Sequence, residues 1–209
     1  MSPDANAHNR IYRALKGRLA AGHYPPGLRL DIQRVADEYR SSATPVREVL
    51  MRLVGEGLVE AQVQGGFRAA HLDAPALAGL YSWNAIILGG AFNLIVATET
   101  ELLPESSALT SLATAEGCAA TIASLFAVIA QASGNEDIVK AVSLVSTRLS
   151  FVRLAEPTVL KMVPKEIQGL LRFASCNDLP ALRRRIVAYH QRRIMHSNAL
   201  SSVLPRWIE

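Results

Sequence analysis

The chain has 209 residues, half of them hydrophobic and 19% charged, with 22 Lys/Arg against 18 Asp/Glu. That length suits one large or two small domains with a sizeable core, and that much apolar content excludes wholesale disorder. The cationic excess favours an anionic partner and gathers at the ends: residues 1–71 hold ten Lys/Arg against seven Asp/Glu, residues 72–177 six against nine, and the tail six against two.

Residues 1–8 are expected to fray. A first helix from about Asn6 to Ala21 turns Ile11, Leu15 and Leu19 inward and Arg10, Arg13, Lys16 and Arg18 mostly outward. Gly22-His23-Tyr24-Pro25-Pro26-Gly27 breaks it, and Leu28-Arg29-Leu30 can form a short strand. Asp31 caps a second helix with Ile32, Val35, Ala36 and Tyr39 on one face, and Arg40-Ser41-Ser42-Ala43 makes the next turn.

In the third helix Val46, Val49, Leu50, Leu53 and Val54 fall at i, i+3, i+4, i+7 and i+8, one apolar face. Thr44 is expected as N-cap, Pro45 as first helical residue, and Gly57 as the stop. The other face carries Arg47, Met51 and Arg52, with Ser41 and Ser42 at its start. Anchored on one side and offering short polar and basic groups at its beginning, such a helix suits a DNA major groove. The alternative is that Arg47 and Arg52 merely solvate an outer face. Leu58 to Ala70 reads as two short strands hinged at Gly65-Gly66.

Three helices and a hairpin make a winged helix-turn-helix. The string PPGLRL, then VA, then TPVREVLMRLVGEGLV and QGGFRA resembles the DNA-binding domain of the GntR superfamily of bacterial transcriptional regulators, over about residues 8–71. Members usually read close to GVSRTPVRE at the turn; here the turn glycine is Arg40, the next small apolar residue is Ser41, and the arginine that commonly reaches a base is Ala43. The resemblance places Thr44 and Arg47 at DNA-contacting positions and Gly66 at the wing tip. It places Gln33 where a phosphate-contacting arginine is common, with Arg34 as substitute. The expected DNA-binding set is Gln33, Arg34, Arg40, Ser42, Thr44, Pro45, Arg47, Arg52, Gly65 and Gly66.

From about Asp73 the composition turns to Ala, Leu, Ile, Val and Ser. Residues 1–71 are therefore read as the DNA-binding domain and 72–209 as an all-helical effector-binding and dimerisation domain, a mainly α protein. Helices are expected at roughly 73–100, 105–132, 135–155, 158–176 and 179–203, with breaks at Pro104, Gly134-Asn135, Pro157, Pro164 and Asn177-Asp178. Ala74 to Thr98 carries no charge over 25 residues, long enough to span a bilayer. Its Pro75, Asn84, Asn93 and Gly89-Gly90 favour a buried bundle helix, so no membrane partner is expected.

Leu80-Tyr81, Ile129–Asn135 and Asn177-Asp178 resemble the effector domain of the FadR-like branch, often called FCD. In many members an aspartate and three histidines hold a metal inside the bundle, and an arginine on its first helix binds a carboxylate effector. The resemblance puts those positions near Ile122, on Phe126, near Ile167, on His190 and, for the arginine, on Asn84. One imidazole among apolar residues cannot supply the roughly four ligands a borderline metal wants, so no metal and no cofactor is expected. The effector pocket, if one persists, is expected at Tyr81, Asn84, Phe126 and His190, and to take an apolar molecule. His190, read on a Val187-His190-Ile194 stripe, is either a hydrogen-bonded core residue or a polar anchor. Asn84 either binds an effector or satisfies a neighbour. Arg183-Arg184-Arg185 and Arg192-Arg193 read as a solvated helix face.

No nucleophile elbow, phosphate-cradling glycine loop or paired carboxylates in an apolar segment occurs, so an enzyme is not expected. Cys118 and Cys176 lack metal-ligand spacing and read as reduced thiols in the cytoplasm, and residues 1–10 lack the apolar stretch of a signal peptide. The expectation is a sequence-specific regulator, by default a repressor, acting on double-stranded DNA as a homodimer, with a small-molecule effector or none. The alternative is a helical interaction protein whose winged domain binds protein or nonspecific nucleic acid.

Overall fold

The computed structural model describes residues 3–102 and 112–204, with side chains from residue 8 onward. Two compact units divide the chain, one of residues 3–72 with Leu204 and one of residues 73–203.

In the first unit, α1 (Pro3–Ala20) starts three residues before the sequence expectation and puts Ile11, Leu15 and Leu19 into the core. It packs on α3 (Ala43–Gly55), whose Val46, Val49, Leu50 and Leu53 are fully buried. Between them in the chain lies α2 (Ile32–Glu38), capped by Asp31 accepting from the Arg34 N–H. The N-cap of α3 is Ser42, not Thr44, and Pro45 stands third in the helix rather than first. Either place suits proline, because none of the first four N–H groups has a partner within a helix. At the far end Gly57 turns to φ +67, and the N–H groups of Gly57 and Leu58 return to the carbonyls of Val54 and Leu53. That is a Schellman closure with Leu58 folded back toward Leu53, and it launches the wing.

The wing is a three-stranded antiparallel sheet in the order β1 (Arg29–Leu30), β3 (Phe67–Ala69), β2 (Val59–Ala61). Leu30 pairs with Phe67 and Val59 with Ala69, so all four face the core. Gly65 and Gly66, at φ +88 and +95, form the hinge in conformations that disfavour any side chain.

The second unit is built on α4 (Ala74–Ala97), capped by Asp73 and buried along Leu77, Leu80, Tyr81, Asn84, Leu88, Ala91, Phe92 and Ile95. Around it pack α5 (Ala115–Ala132), α6 (Glu136–Val159), α8 (Leu179–Met195) and α9 (Ser197–Val203), while α7 (Val163–Ser175) packs on α5 and α8. Asn135 and Asp178 cap α6 and α8, where breaks were expected. The break expected at Pro104 and the helix start at 105 lie outside the described residues; the described part of that helix begins at Ala115.

Two expected boundaries are corrected. Pro157 does not end α6, which runs on to Val159. In the last turn a missing N–H forfeits a single bond, and the true break comes at Leu160–Met162, where Met162 takes φ +63. The segment expected as one helix over 179–203 is two, separated at His196. Both α4 and α5 are long and apolar enough to cross a membrane, and 44% of each such window is buried within the bundle.

Candidate nucleic-acid interface and the interior of the helical unit

The start of α3 presents Ser42, Thr44 and Arg47 as exposed side chains, with Pro45 half-buried behind them. The apolar face of α3 is spent on the core, which leaves Arg47 on the outward side. Among the described residues neither Arg47 nor Arg34 is in a salt bridge, so both guanidinium groups can reach phosphate or base edges. Gln33, also exposed on α2, bonds Asp37 at 3.0 Å. Arg40 is exposed in the turn between α2 and α3 at φ +48, the left-handed region that a glycine would enter freely.

Arg52 is placed differently. Its guanidinium lies 3.6 Å from the centre of the Tyr12 ring and 3.6 Å from Glu56, so it is committed to joining α1 and α3. Glu56 also accepts from Tyr12 at 2.7 Å and Lys16 at 2.7 Å. Burial opposes its charge, but these partners prevail and hold its pKa below the ordinary carboxylate value. On the wing, Arg29 and Arg68 stand opposite each other across the β1–β3 pair, and Arg68 is held by Glu60 at 2.6 Å. With Gly65 they are among the residues that line an open groove of about 620 Å³.

Inside the helical unit, the four residues expected to form a pocket do meet. His190 lies 3.0 Å from the Asn84 amide, stacks on Phe126 at 5.4 Å, and meets Tyr81 edge-on at 6.4 Å. Its Nδ1 lies 2.7 Å from the Ile186 carbonyl, which can only accept. Nδ1 therefore carries the proton, and Nε2 accepts from the Asn84 amide. Burial, with Arg153 and Arg193 adding repulsion, pushes the His190 pKa down to about 4 despite the Ile186 bond. Ile122, Phe126 and Ile167 are all fully buried, and among the described residues no three His, Cys, Asp or Glu side chains gather. These donors do not fit a metal.

Three charged residues that the sequence reading placed in no site are also buried there. Arg193, expected on a solvated face, is 0% exposed. It grips Glu156 through Nε at 2.9 Å and Nη2 at 2.7 Å, and donates to Glu166 at 3.1 Å. Tyr81 donates to the same Glu156 at 2.7 Å, and burial followed by that negative charge pushes the Tyr81 pKa well up, so the hydroxyl remains a donor. The third is Arg153, 2% exposed on α6. One signal was available: the buried stripe of α8 is Ile186-Tyr189-His190-Arg193, whereas Val187 is exposed, so the expected Val187-His190-Ile194 stripe was one residue out of phase. Arg183, Arg184 and Arg185 are exposed as expected.

A core-anchored third helix opening onto solvent, with a glycine-tipped wing beside it, defines a winged helix-turn-helix DNA-binding domain, here carried with a helical bundle. Residues 7–68 match the model of the bacterial regulatory proteins, gntR family. Over 139 residues the chain is 30% identical to the Nta operon transcriptional regulator of Aminobacter aminovorans, spanning 63% of this chain and 66% of that protein. The fold is similar to E. coli McbR/YncC (TM-score 0.70, 20% identity, 94% of this chain and 98% of that one). It is also similar to a putative transcriptional regulator GntR from Rhodococcus sp. RHA1 (TM-score 0.76, 15% identity, 91% and 96%). The chain thus carries a gntR-family helix-turn-helix domain, and the proteins it is similar to are transcriptional regulators.

Proposed function

We propose that the protein is a sequence-specific regulator that binds a pseudo-palindromic site on double-stranded DNA as a homodimer, in the bacterial cytoplasm, with repression as the default result of occupying a promoter. The observation that carries this reading is the exposed Arg47 on the outward face of α3, beside Ser42 and Thr44 and in no salt bridge among the described residues. Arg47, Ser42 and Thr44 are assigned to the major groove; Arg34, Gln33 and Arg40 to phosphates; Gly65 and Gly66 to close approach of the wing. Pro45 shapes the helix start, and Arg52 acts through Tyr12 rather than on DNA.

One winged domain covers too little duplex to find a genomic site, and a second half-site multiplies the discrimination. The exposed Trp83, Ile86 and Val96 on α4, at 51, 65 and 60%, support the helical unit as the surface that joins two copies. The bundle, the meeting of Tyr81, Asn84, Phe126 and His190, and the residues shared with the FCD branch support an effector-binding role for it.

Arg47→Ala is expected to weaken binding to the operator by about 1–3 kcal/mol and relax sequence preference at the base it reads. Titrations against a promoter fragment, with and without excess bulk DNA, check this. Unchanged affinity would mean that α3 is not the reading helix; equal affinity for bulk competitor would favour nonspecific nucleic-acid binding.

A further inference from the structure

A helix that spends one face on the core keeps a second stripe for whatever it meets. On α3 that stripe is Thr44, Arg47, Met51 and Gly55, spaced so that each stands three or four residues from the next. All four are exposed, while Val46, Val49, Leu50 and Leu53 on the opposite side are fully buried. A side chain at Gly55 would meet nothing within 4 Å, so no described residue covers the far end of the stripe. Met51 is the odd member. It is 53% exposed and apolar, where Thr44 and Arg47 are polar.

The next residue, Arg52, would bring a cation to the same turn, but its guanidinium is held over the Tyr12 ring at 3.6 Å and paired with Glu56. Tyr12 and Lys16 fix Glu56 in their turn, so Arg52 is spent on the α1–α3 contact and Met51 faces outward without it. Glu48, exposed on the flank, carries only acceptors. A thioether has no proton to donate and is a weak acceptor, so it gains little from phosphates or from the polar edges of guanine, adenine and cytosine. One group in the major groove suits it, the C5-methyl of thymine. Helical rise fixes where: four residues at about 1.5 Å each put Met51 about 6 Å beyond Arg47, close to two base steps of about 3.4 Å. Three rotatable bonds give the side chain the reach to find the methyl from there.

We propose that Met51 is a specificity-determining residue that reads the C5-methyl of a thymine about two base steps from the base read by Arg47. The contact takes a methyl and a thioether out of water together, and it distinguishes thymine from cytosine, whose C5 is bare. It neutralises no phosphate, so it adds selectivity without adding to the salt dependence of binding. Arg52 is a positioning residue here: by staying on Tyr12 it leaves the turn to Met51. The inference rests on the reading of α3 as the helix in the major groove and deepens it by naming a base and the atom recognised.

The test selects duplexes from a random-sequence library with the full chain, then replaces each thymine of the tightest-bound duplex by uracil, which lacks only the methyl. Wild type should lose about fourfold in affinity at one thymine of each half-site, the worth of one methyl withheld from water. That thymine should lie about two base steps from the position at which Arg47→Ala relaxes the preference. Met51→Ala should bind the thymine duplex about fourfold more weakly and treat thymine and uracil alike. Met51→Leu should keep most of the discrimination, and the salt slope should be the same for all three proteins. If Met51→Ala fails to fold, Met51→Gln serves: it keeps the length, puts an amide in place of the thioether, and should lose the discrimination. The proposal is overturned if no thymine is sensitive, if the sensitive thymine lies far from the Arg47 position, or if the Met51 variant keeps the uracil penalty, which would assign it to the shape of the DNA. Arg47→Ala separates the two readings. Unchanged binding, or a library that yields no preferred duplex, removes α3 as the reading helix and this contact with it; weakened binding beside an intact uracil penalty in the Met51 variant removes the contact alone.

Discussion

Arg40 illustrates how one residue can serve two opposed demands. The chain must reverse between α2 and α3, and it does so at φ +48, with the Arg40 and Ser41 N–H groups returning to the carbonyls of Asp37 and Ala36. A side chain in that region costs about 1–2 kcal/mol relative to glycine. The same backbone points a guanidinium outward beside the recognition helix. Arg40→Gly is therefore expected to raise unfolding free energy by about 1 kcal/mol in urea titrations, while lowering the salt dependence of DNA binding by about one counterion. A variant that is no more stable would show that the turn is not strained. The loss of the turn glycine was legible in the sequence; the sign of its backbone angle was not, because arginine almost never announces a left-handed turn.

Among the elements, α6 carries the polar interior. Glu156 on it is tied to Tyr81 on α4 and to Arg193 on α8, which in turn holds Glu166 on α7, so two carboxylates and one guanidinium link four helices. A pair this deeply buried is costly to assemble and more costly to break, because the survivor is left charged in an apolar surround. Glu156→Gln is expected to destabilise by about 3–5 kcal/mol in chemical denaturation, against about 1 kcal/mol or less for exposed pairs such as Lys140 with Glu136. Replacing both Glu156 and Arg193 by apolar residues of similar volume should recover most of the loss; failure to recover it would show that the pair does more than neutralise itself. The helices themselves were readable, since caps such as Asp31, Asn135 and Asp178 act over two or three residues. Pro157 misled because a proline's effect depends on how near the helix end lies, which sequence alone does not state.

For the whole molecule, pH is the lever. With His190 held near pKa 4 in the folded state and near 6.5 unfolded, the unfolded chain takes up the proton first as pH falls. Stability should therefore decline between about pH 6.5 and 4, by up to about 1.4 kcal/mol per pH unit, and this contribution should stop changing below pH 4. His190→Gln should flatten the profile in that window; parallel wild-type and variant curves from urea unfolding at pH 7, 6 and 5 would show that His190 is not the responsible group.

Local chemistry was enough to specify the winged domain. Apolar spacing in α3, the Gly57 stop and the Gly65-Gly66 hinge each act within a few residues, and so could be read along the chain. It was also enough to bring Tyr81, Asn84, Phe126 and His190 under suspicion together. Which charges enter the bundle was decided by packing. Arg153, Glu156 and Arg193 look like surface residues in the sequence, and only the rotation of α6 and α8 against α4 turns them inward. Burial of a charge depends on partners as far as 75 residues away, as between Tyr81 and Glu156, and no local pattern carries that information.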